Sequence, residues 1–311
     1  MFKTRLLSGI VLVIAALVLI ITGGDVLLVS TLLISWIGMF ELYRIFHIEK
    51  SAPGIVGYAA AAVYYANLRF GFLPDLMMLV LGLLIVLMFV YVFTYPKYQT
   101  EQLLAAFFGV FYVAVMLSYV YQTRMLSAGT YIVWLIFLCS WGCDTCAYCV
   151  GMLIGKHKMS PKLSPKKSVE GAVGGVAGAA LLTVIYGMIF KNAMQIDQTH
   201  VWIMAGISAV GALISMVGDL TASAIKRNYE IKDYGKLFPG HGGILDRFDS
   251  VFFTAPMIYF LAANFIVLLT EDISVKNKLD SLFFARLFVS EQKQIASMTR
   301  HKKTCLREFE I

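Results

Sequence analysis

The chain has 311 residues, of which 59% are hydrophobic and 14% charged. A soluble domain carries roughly a quarter charged residues, so this composition excludes one; apolar blocks of about 20 residues point instead to an all-α, polytopic transmembrane helical bundle. The net charge of +7 is not a nucleic-acid signal here, because basic residues beside membrane spans set topology or meet lipid phosphates.

In chain order, the apolar runs predict about nine spans: Leu6–Ile21, Val26–Tyr43, Gly54–Leu68, Leu76–Phe93, Leu103–Tyr121, Tyr131–Ile154, Ala172–Phe190, Val201–Ile225 and Val251–Leu269. The first lacks a small-residue cleavage site and is followed by further spans, so it is expected to be a retained helix. Gly23, Gly24 and Asp25 form a turn before the second. With the amino end inside, inner loops carry Lys3, Arg5, Arg44, Lys50, Lys97, the lysines of 156–167 and the basic residues of 226–247. Outer loops carry Arg69, Arg124 and Lys191, so the bias places the amino end and both charged loops in the cytoplasm. The organisation expected is an N-terminal set of about five spans over 1–125, a catalytic transmembrane region over 126–270, and a polar, basic tail over 271–311. Within the tail, "LDSLFFARLF" reads as an interfacial amphipathic helix.

Charge inside a span is costly and marks a functional site by default. Between Thr130 and Gly155 the only charged residue is Asp144; between Val201 and Ile225 it is Asp219. Each could merely make an interhelical hydrogen bond, but each also sits on a helix leading into a basic loop. Ser223, Lys226 and Arg227 follow Asp219 on one helical face, a carboxylate below and cations at the mouth. The loop "GKHKMSPKLSPKKSVEG" holds more than a topology signal needs: prolines fix its backbone, and Ser164, Ser168 and Glu170 accompany its lysines, as suits phosphate binding. The glycines that follow, Gly171, Gly174, Gly175 and Gly178, are spaced for close helix packing. Cys139, Cys143, Cys146 and Cys149 read as small apolar side chains in a helix rather than a metal site.

The stretch "FPGHGGILDRFDS" places Gly240, Gly242 and Gly243 where backbone amides can approach a ligand, and puts Asp246 and Asp249 one turn apart around Arg247. Asp at a helix start is often only a cap. Mg²⁺ binds through one or two carboxylates plus substrate phosphates, and Asp144, Asp219 and Asp246 answer that demand, with Asp249 as a further candidate.

At these residues the chain resembles the phosphatidate cytidylyltransferases, or CDP-diacylglycerol synthases. "SAIKRNYEIKDYGKLFPGHGGILDRFD" is similar to that family's signature at Ser223, Lys226, Arg227, Lys232, Asp233, Pro239, Gly240, His241, Gly242, Gly243, Asp246, Arg247 and Asp249. "DTCAYCVGMLIGKHKMSPKLSPKKSVEG" is similar at Asp144, Ala147, Tyr148, Gly151, Gly155, Ser164, Pro165, Lys166, Lys167, Ser168 and Glu170. The likeness covers about residues 1–270; the tail departs from it. The resemblance implies that CTP and phosphatidate give CDP-diacylglycerol and pyrophosphate, with Mg²⁺ and a second cation such as K⁺. It also implies a homodimer, in a bacterial cytoplasmic membrane with its active-site loops on the cytoplasmic side. Lys166, Lys167, Lys226, Arg227 and Arg247 would then contact phosphates, and Ser223 and His241 would orient substrate. No nucleic acid is expected as a partner. A membrane transporter and a nucleotide-dependent lipid or polyprenol kinase are the competing readings; a transporter should show an internal repeat, and the halves are not convincingly similar.

Overall fold

The computed structural model describes residues 2–194, 196–237 and 242–267. Met1–Ala263 form one compact unit, and Asn264–Ile311 a second of which only 264–267 are described. The expected tail helix therefore lies outside the described residues, as does His241.

The described residues form nine helices, one for each expected span. They are α1 Phe2–Thr22, α2 Gly24–Ile45, α3 Ala52–Phe70, α4 Leu76–Phe93, α5 Thr100–Arg124, α6 Gly129–Ile154, α7 Val169–Met194, α8 Gln198–Asn228 and α9 Leu245–Ala262. Seven are long and apolar enough to cross a membrane, α1 and α3 being the exceptions by length or hydropathy of the described residues. This is an integral membrane protein and an all-α bundle. α9 begins six residues before the expected Val251, because the polar "LDRFDS" is already helical.

Local chemistry sets the helix ends. Gly23, at φ 63°, breaks α1 from α2, and Gly71, at φ 62°, ends α3 in the left-handed conformation that glycine adopts without strain. The Asp75 side chain accepts from the Met77 amide at 2.8 Å and caps α4; Asp197 accepts from the His200 amide at 3.0 Å and caps α8. Two spans carry an internal π-helical turn, Val110–Val115 within α5 and Leu138–Gly142 within α6, and a third such turn, Ala263–Val267, follows α9 in the chain.

α6 packs on α7, α7 on α8 and α8 on α9, while α9 also leans on α5. The glycine stripe of α7 makes the first of these contacts close: a Cβ on Gly174 would stand 2.5 Å from Val150, and one on Gly178 2.5 Å from Cys146. Cys143 and Cys146 thus fill space against glycines, as small apolar side chains do. Between α7 and α8, Thr183 donates to Ser208 at 2.7 Å, and Ser208 reaches the Ala179 carbonyl at 3.3 Å, so the buried hydroxyls are satisfied. α4 turns most of its apolar surface outward, as a lipid-facing helix does.

Between α6 and α7 the chain forms a short antiparallel hairpin, β1 Lys158–Ser160 and β2 Ser164–Ser168, where the sequence suggested only a proline-fixed loop. It is the one sheet among the described residues.

Candidate active site

Four elements bring the expected residues together. Asp144 projects from α6 two residues after the π turn; Lys166 and Lys167 come from β2, Asp219 and Ser223 from α8, and Asp246, Arg247 and Asp249 from the first turns of α9. The hairpin is pinned at its base by Glu170, which accepts from the Lys156 amide at 3.1 Å, the His157 amide at 3.2 Å and lies 2.6 Å from His157 Nδ1. Ser168, buried, accepts from the Gly171 amide at 3.1 Å and so caps α7. Held this way, β2 delivers Lys167 Nζ to an ion pair with Asp219 Oδ2.

That ion pair stands on the wall of a cavity of about 540 Å³, which also takes in Asp144, Lys158, Lys166 and, on its apolar side, Tyr148, Met152 and Met216. Tyr148 and Met152 are largely exposed on the flank of α6. One space therefore offers cations, carboxylates and a hydrocarbon surface.

Asp246 lives differently. Its Oδ1 accepts from Lys226 Nζ at 2.8 Å, and its Oδ2 accepts from the backbone amides of Tyr234 at 2.8 Å and Gly243 at 3.0 Å. Both oxygens are thus engaged by protein donors, and Asp246 ties the backbone at Tyr234 and Gly243 to Lys226 of α8. A second acid helps. Glu41, buried in α2, accepts from the amides of Ile244 at 3.1 Å and Leu245 at 2.9 Å. A Cβ on Gly235 would come within 2.1 Å of Glu41, and one on Gly243 within 2.3 Å, so these glycines admit the carboxylate. Arg44, one turn on, donates to the Tyr234 carbonyl at 2.5 Å. Sequence reasoning missed Glu41, although the signal was present: it is the only charged residue between Val26 and Tyr43.

The remaining expected residues fall as follows. Ser223 lies 3.5 Å from Asp219 Oδ1. Arg227 is exposed at the end of α8. Arg247 is half-buried, with its carbonyl accepting from Trp141 Nε1 at 3.2 Å, and its charge is within electrostatic reach of Asp144. Asp249 accepts from the Ser250 amide at 2.8 Å and lies within electrostatic reach of Asp219, Asp144 and Lys226. Three carboxylates, Asp144, Asp219 and Asp249, therefore share one region with Lys167 and Lys226. Among the described residues no group of three or more histidine, cysteine or acidic side chains is placed to hold a metal ion. An open set of carboxylates fits Mg²⁺, which takes one or two of them and completes its shell with phosphate and water.

Against known proteins, the profile of the Cytidylyltransferase family matches residues 3–265. The phosphatidate cytidylyltransferase of Staphylococcus aureus (strain COL) is 33% identical over 265 residues, which is 83% of this chain and 98% of the relative. That of Staphylococcus epidermidis (strain ATCC 12228) is 32% identical over 263 residues, with 83% and 98% covered. That of Bacillus subtilis (strain 168) is 30% identical over 272 residues, covering 85% and 98%. The matched range takes in both carboxylate helices and the lysine hairpin, and this chain belongs to the cytidylyltransferase family.

Proposed function

We propose that this protein is a phosphatidate cytidylyltransferase, joining CTP and phosphatidate into CDP-diacylglycerol with release of pyrophosphate. The observation that carries the reading is the cavity in which the Lys167–Asp219 pair meets the exposed apolar flank of α6. A phosphate carried on acyl chains is the ligand class that needs both surfaces at once. Relatives of that name at 30–33% identity support the same reading.

In the reaction a phosphate oxygen of phosphatidate attacks the α-phosphorus of CTP. The new P–O bond forms as the bond from that phosphorus to the bridging oxygen breaks, and the electron pair leaves with pyrophosphate. A phosphomonoester with a second pKa near 6 is mostly dianionic at neutral pH, so no general base is required. The protein's task is to hold two mutually repelling anions in line and neutralise charge as it moves to the leaving group. Lys166 and Lys167 on the hairpin suit the phosphatidate headgroup, and Arg227 and Arg247 suit the nucleotide phosphates; Lys226, expected with them, is already engaged by Asp246. Ser223 and His241 orient substrate in this reading. One or two of Asp144, Asp219 and Asp249 would hold Mg²⁺, which would supply charge neutralisation on the phosphates, and a second cation such as K⁺ belongs to the same reading. Asp246 was expected among the metal ligands; with both oxygens engaged, it is given the bracing role instead.

The positive-inside bias of the loops supports a cytoplasmic site in a bacterial inner membrane, where CTP is available. A homodimer completes the reading, and nucleic acid has no part in it. The test is pyrophosphate release from CTP by detergent-purified protein, with and without phosphatidate and Mg²⁺, beside Asp219→Asn. Release that needs both additions and is lost in the variant is expected. Nucleoside diphosphate as the product would identify a lipid kinase, and no turnover by folded protein would sink the enzyme.

A further inference from the structure

A second cavity, of about 310 Å³, lies beside the braced segment, walled by Arg44, His47, Tyr229, Asp233, Tyr234 and two isoleucines. It sits between the C-terminal ends of α2 and α8, and both ends are closed in the same way. At α2, the Ile48 amide donates to the Tyr43 carbonyl at 3.0 Å and the His47 amide to Arg44 at 3.3 Å. At α8, the Ile231 amide donates to Lys226 at 2.9 Å and the Glu230 amide to Arg227 at 3.2 Å. The residue forced into the left-handed region is His47 at φ 56° in one and Glu230 at φ 54° in the other, where glycine is the usual occupant. The adjoining Phe46 and Tyr229 meet edge to face with centroids 5.0 Å apart. The cavity is a constructed junction, with a side chain kept where glycine would be easier.

Its chemistry is mixed in a specific way. Two helix C-termini present partial negative charge, and Asp233 adds a full one, so an isolated phosphate is poorly served. Arg44 and His47 bring donors, so a simple cation is poorly served as well. A flat heterocycle with an amino donor on one edge and acceptors beside it satisfies both sets. Carboxylates accept from the cytosine amino group, and uracil would turn a carbonyl oxygen to the same acid. The Tyr229 ring, 42% exposed, offers a face on which a base can stack.

We propose that this cavity is the nucleobase subsite, reading cytosine through Asp233; the inference rests on the cytidylyltransferase reading above. Tyr234 connects the two places. Its ring lies 5.4 Å from Lys226 Nζ, and its amide donates to Asp246, which holds the same lysine. A base in the cavity therefore has Lys226 on the far side of one side chain. Asp219 lies ten residues before Tyr229 on the helix, about 15 Å along its axis.

The test compares kcat/KM for CTP and UTP, with phosphatidate and Mg²⁺, in wild type, Asp233→Asn and Tyr229→Leu. The asparagine can donate to the uracil carbonyl, so the CTP preference is expected to fall by about tenfold or more. Tyr229→Leu is expected to raise KM for CTP severalfold with kcat little changed. An unchanged CTP/UTP ratio in Asp233→Asn, with both rates falling together, would overturn the subsite. Should that variant not fold, CMP inhibition against CTP decides: weaker inhibition in Tyr229→Leu supports the subsite and equal inhibition overturns it. A wild-type protein without turnover would count against the parent reading alone. Equilibrium dialysis of CMP against wild type and Tyr229→Leu would then judge the cavity, equal binding by both being the contrary result.

Discussion

Two lysine–aspartate pairs border α8, and they are built to opposite ends. In Lys226–Asp246 the side chains are 15% and 3% exposed, and the carboxylate also accepts two backbone amides. In Lys167–Asp219 they are 25% and 22% exposed, and the pair faces a cavity. The first is closed on itself and fixes a segment of backbone. The second remains open to an incoming anion, which can draw the lysine from its carboxylate without unravelling the fold. Opposite charge in contact is common to both; the difference lies in what else each carboxylate must hold.

The comparison breaks if the closed pair can be removed cheaply. Asp246→Ala strands Lys226 and the amides of Tyr234 and Gly243, and loss of one partner of a buried pair costs about 3–5 kcal/mol. A large drop in thermal midpoint in detergent is expected, and an unchanged midpoint would refute the bracing role. Next in size, Lys167→Gln should lower the midpoint far less than Asp246→Ala, since Asp219 holds no backbone amide among the described residues and glutamine can still donate to it. Its pyrophosphate release should fall about 10²–10³-fold, as when a charge-stabilising donor is lost from a transition state. Glu41→Gln sharpens the same contrast from α2: its amide can accept from one of the two α9 backbone donors but presents N–H to the other. A loss of about 1–3 kcal/mol is expected by the same thermal assay, and Glu41→Ala should exceed it. Smallest of all, Arg69→Ala breaks the exposed pair with Asp25, at 2.6 Å, and an exposed contact with the Phe70 ring at 5.8 Å, and should shift stability by about 0–1 kcal/mol. A shift as large as that of Asp246→Ala would mean that exposure does not rank these pairs.

Much of the fold was legible because membrane spans announce themselves: a run of apolar residues of the right length has few alternatives. The acids of the site were legible for the complementary reason, since Asp144 and Asp219 stand alone in such runs. What they bond to was not. Nothing in the sequence separates Asp246, with both oxygens engaged, from Asp219, paired at a cavity wall; that depends on where the Tyr234 and Gly243 amides point. Glu41 obeyed the same rule as Asp144 and was passed over because its partners lie about two hundred residues away, at Ile244 and Leu245. The hairpin was hidden too, because its strands are three and five residues of lysine, serine, methionine and proline, without an alternating pattern.

The π turn at Leu138–Gly142 bears on how this gene can drift. A π turn holds one residue more than the helix around it needs, so losing one codon there would leave a straight, fully hydrogen-bonded span. Hydropathy would hardly change, and the shortened protein would enter the membrane as before. Five residues of π turn and four of α-helix sweep nearly the same angle, so everything downstream on α6 would keep its orientation and Asp144 would still face its present neighbours. A deletion at this one turn should therefore be tolerated where a deletion in the regular helix of α6, which turns the remainder by about 100°, should not, a difference that surveys of expression or membrane localisation would score as silent.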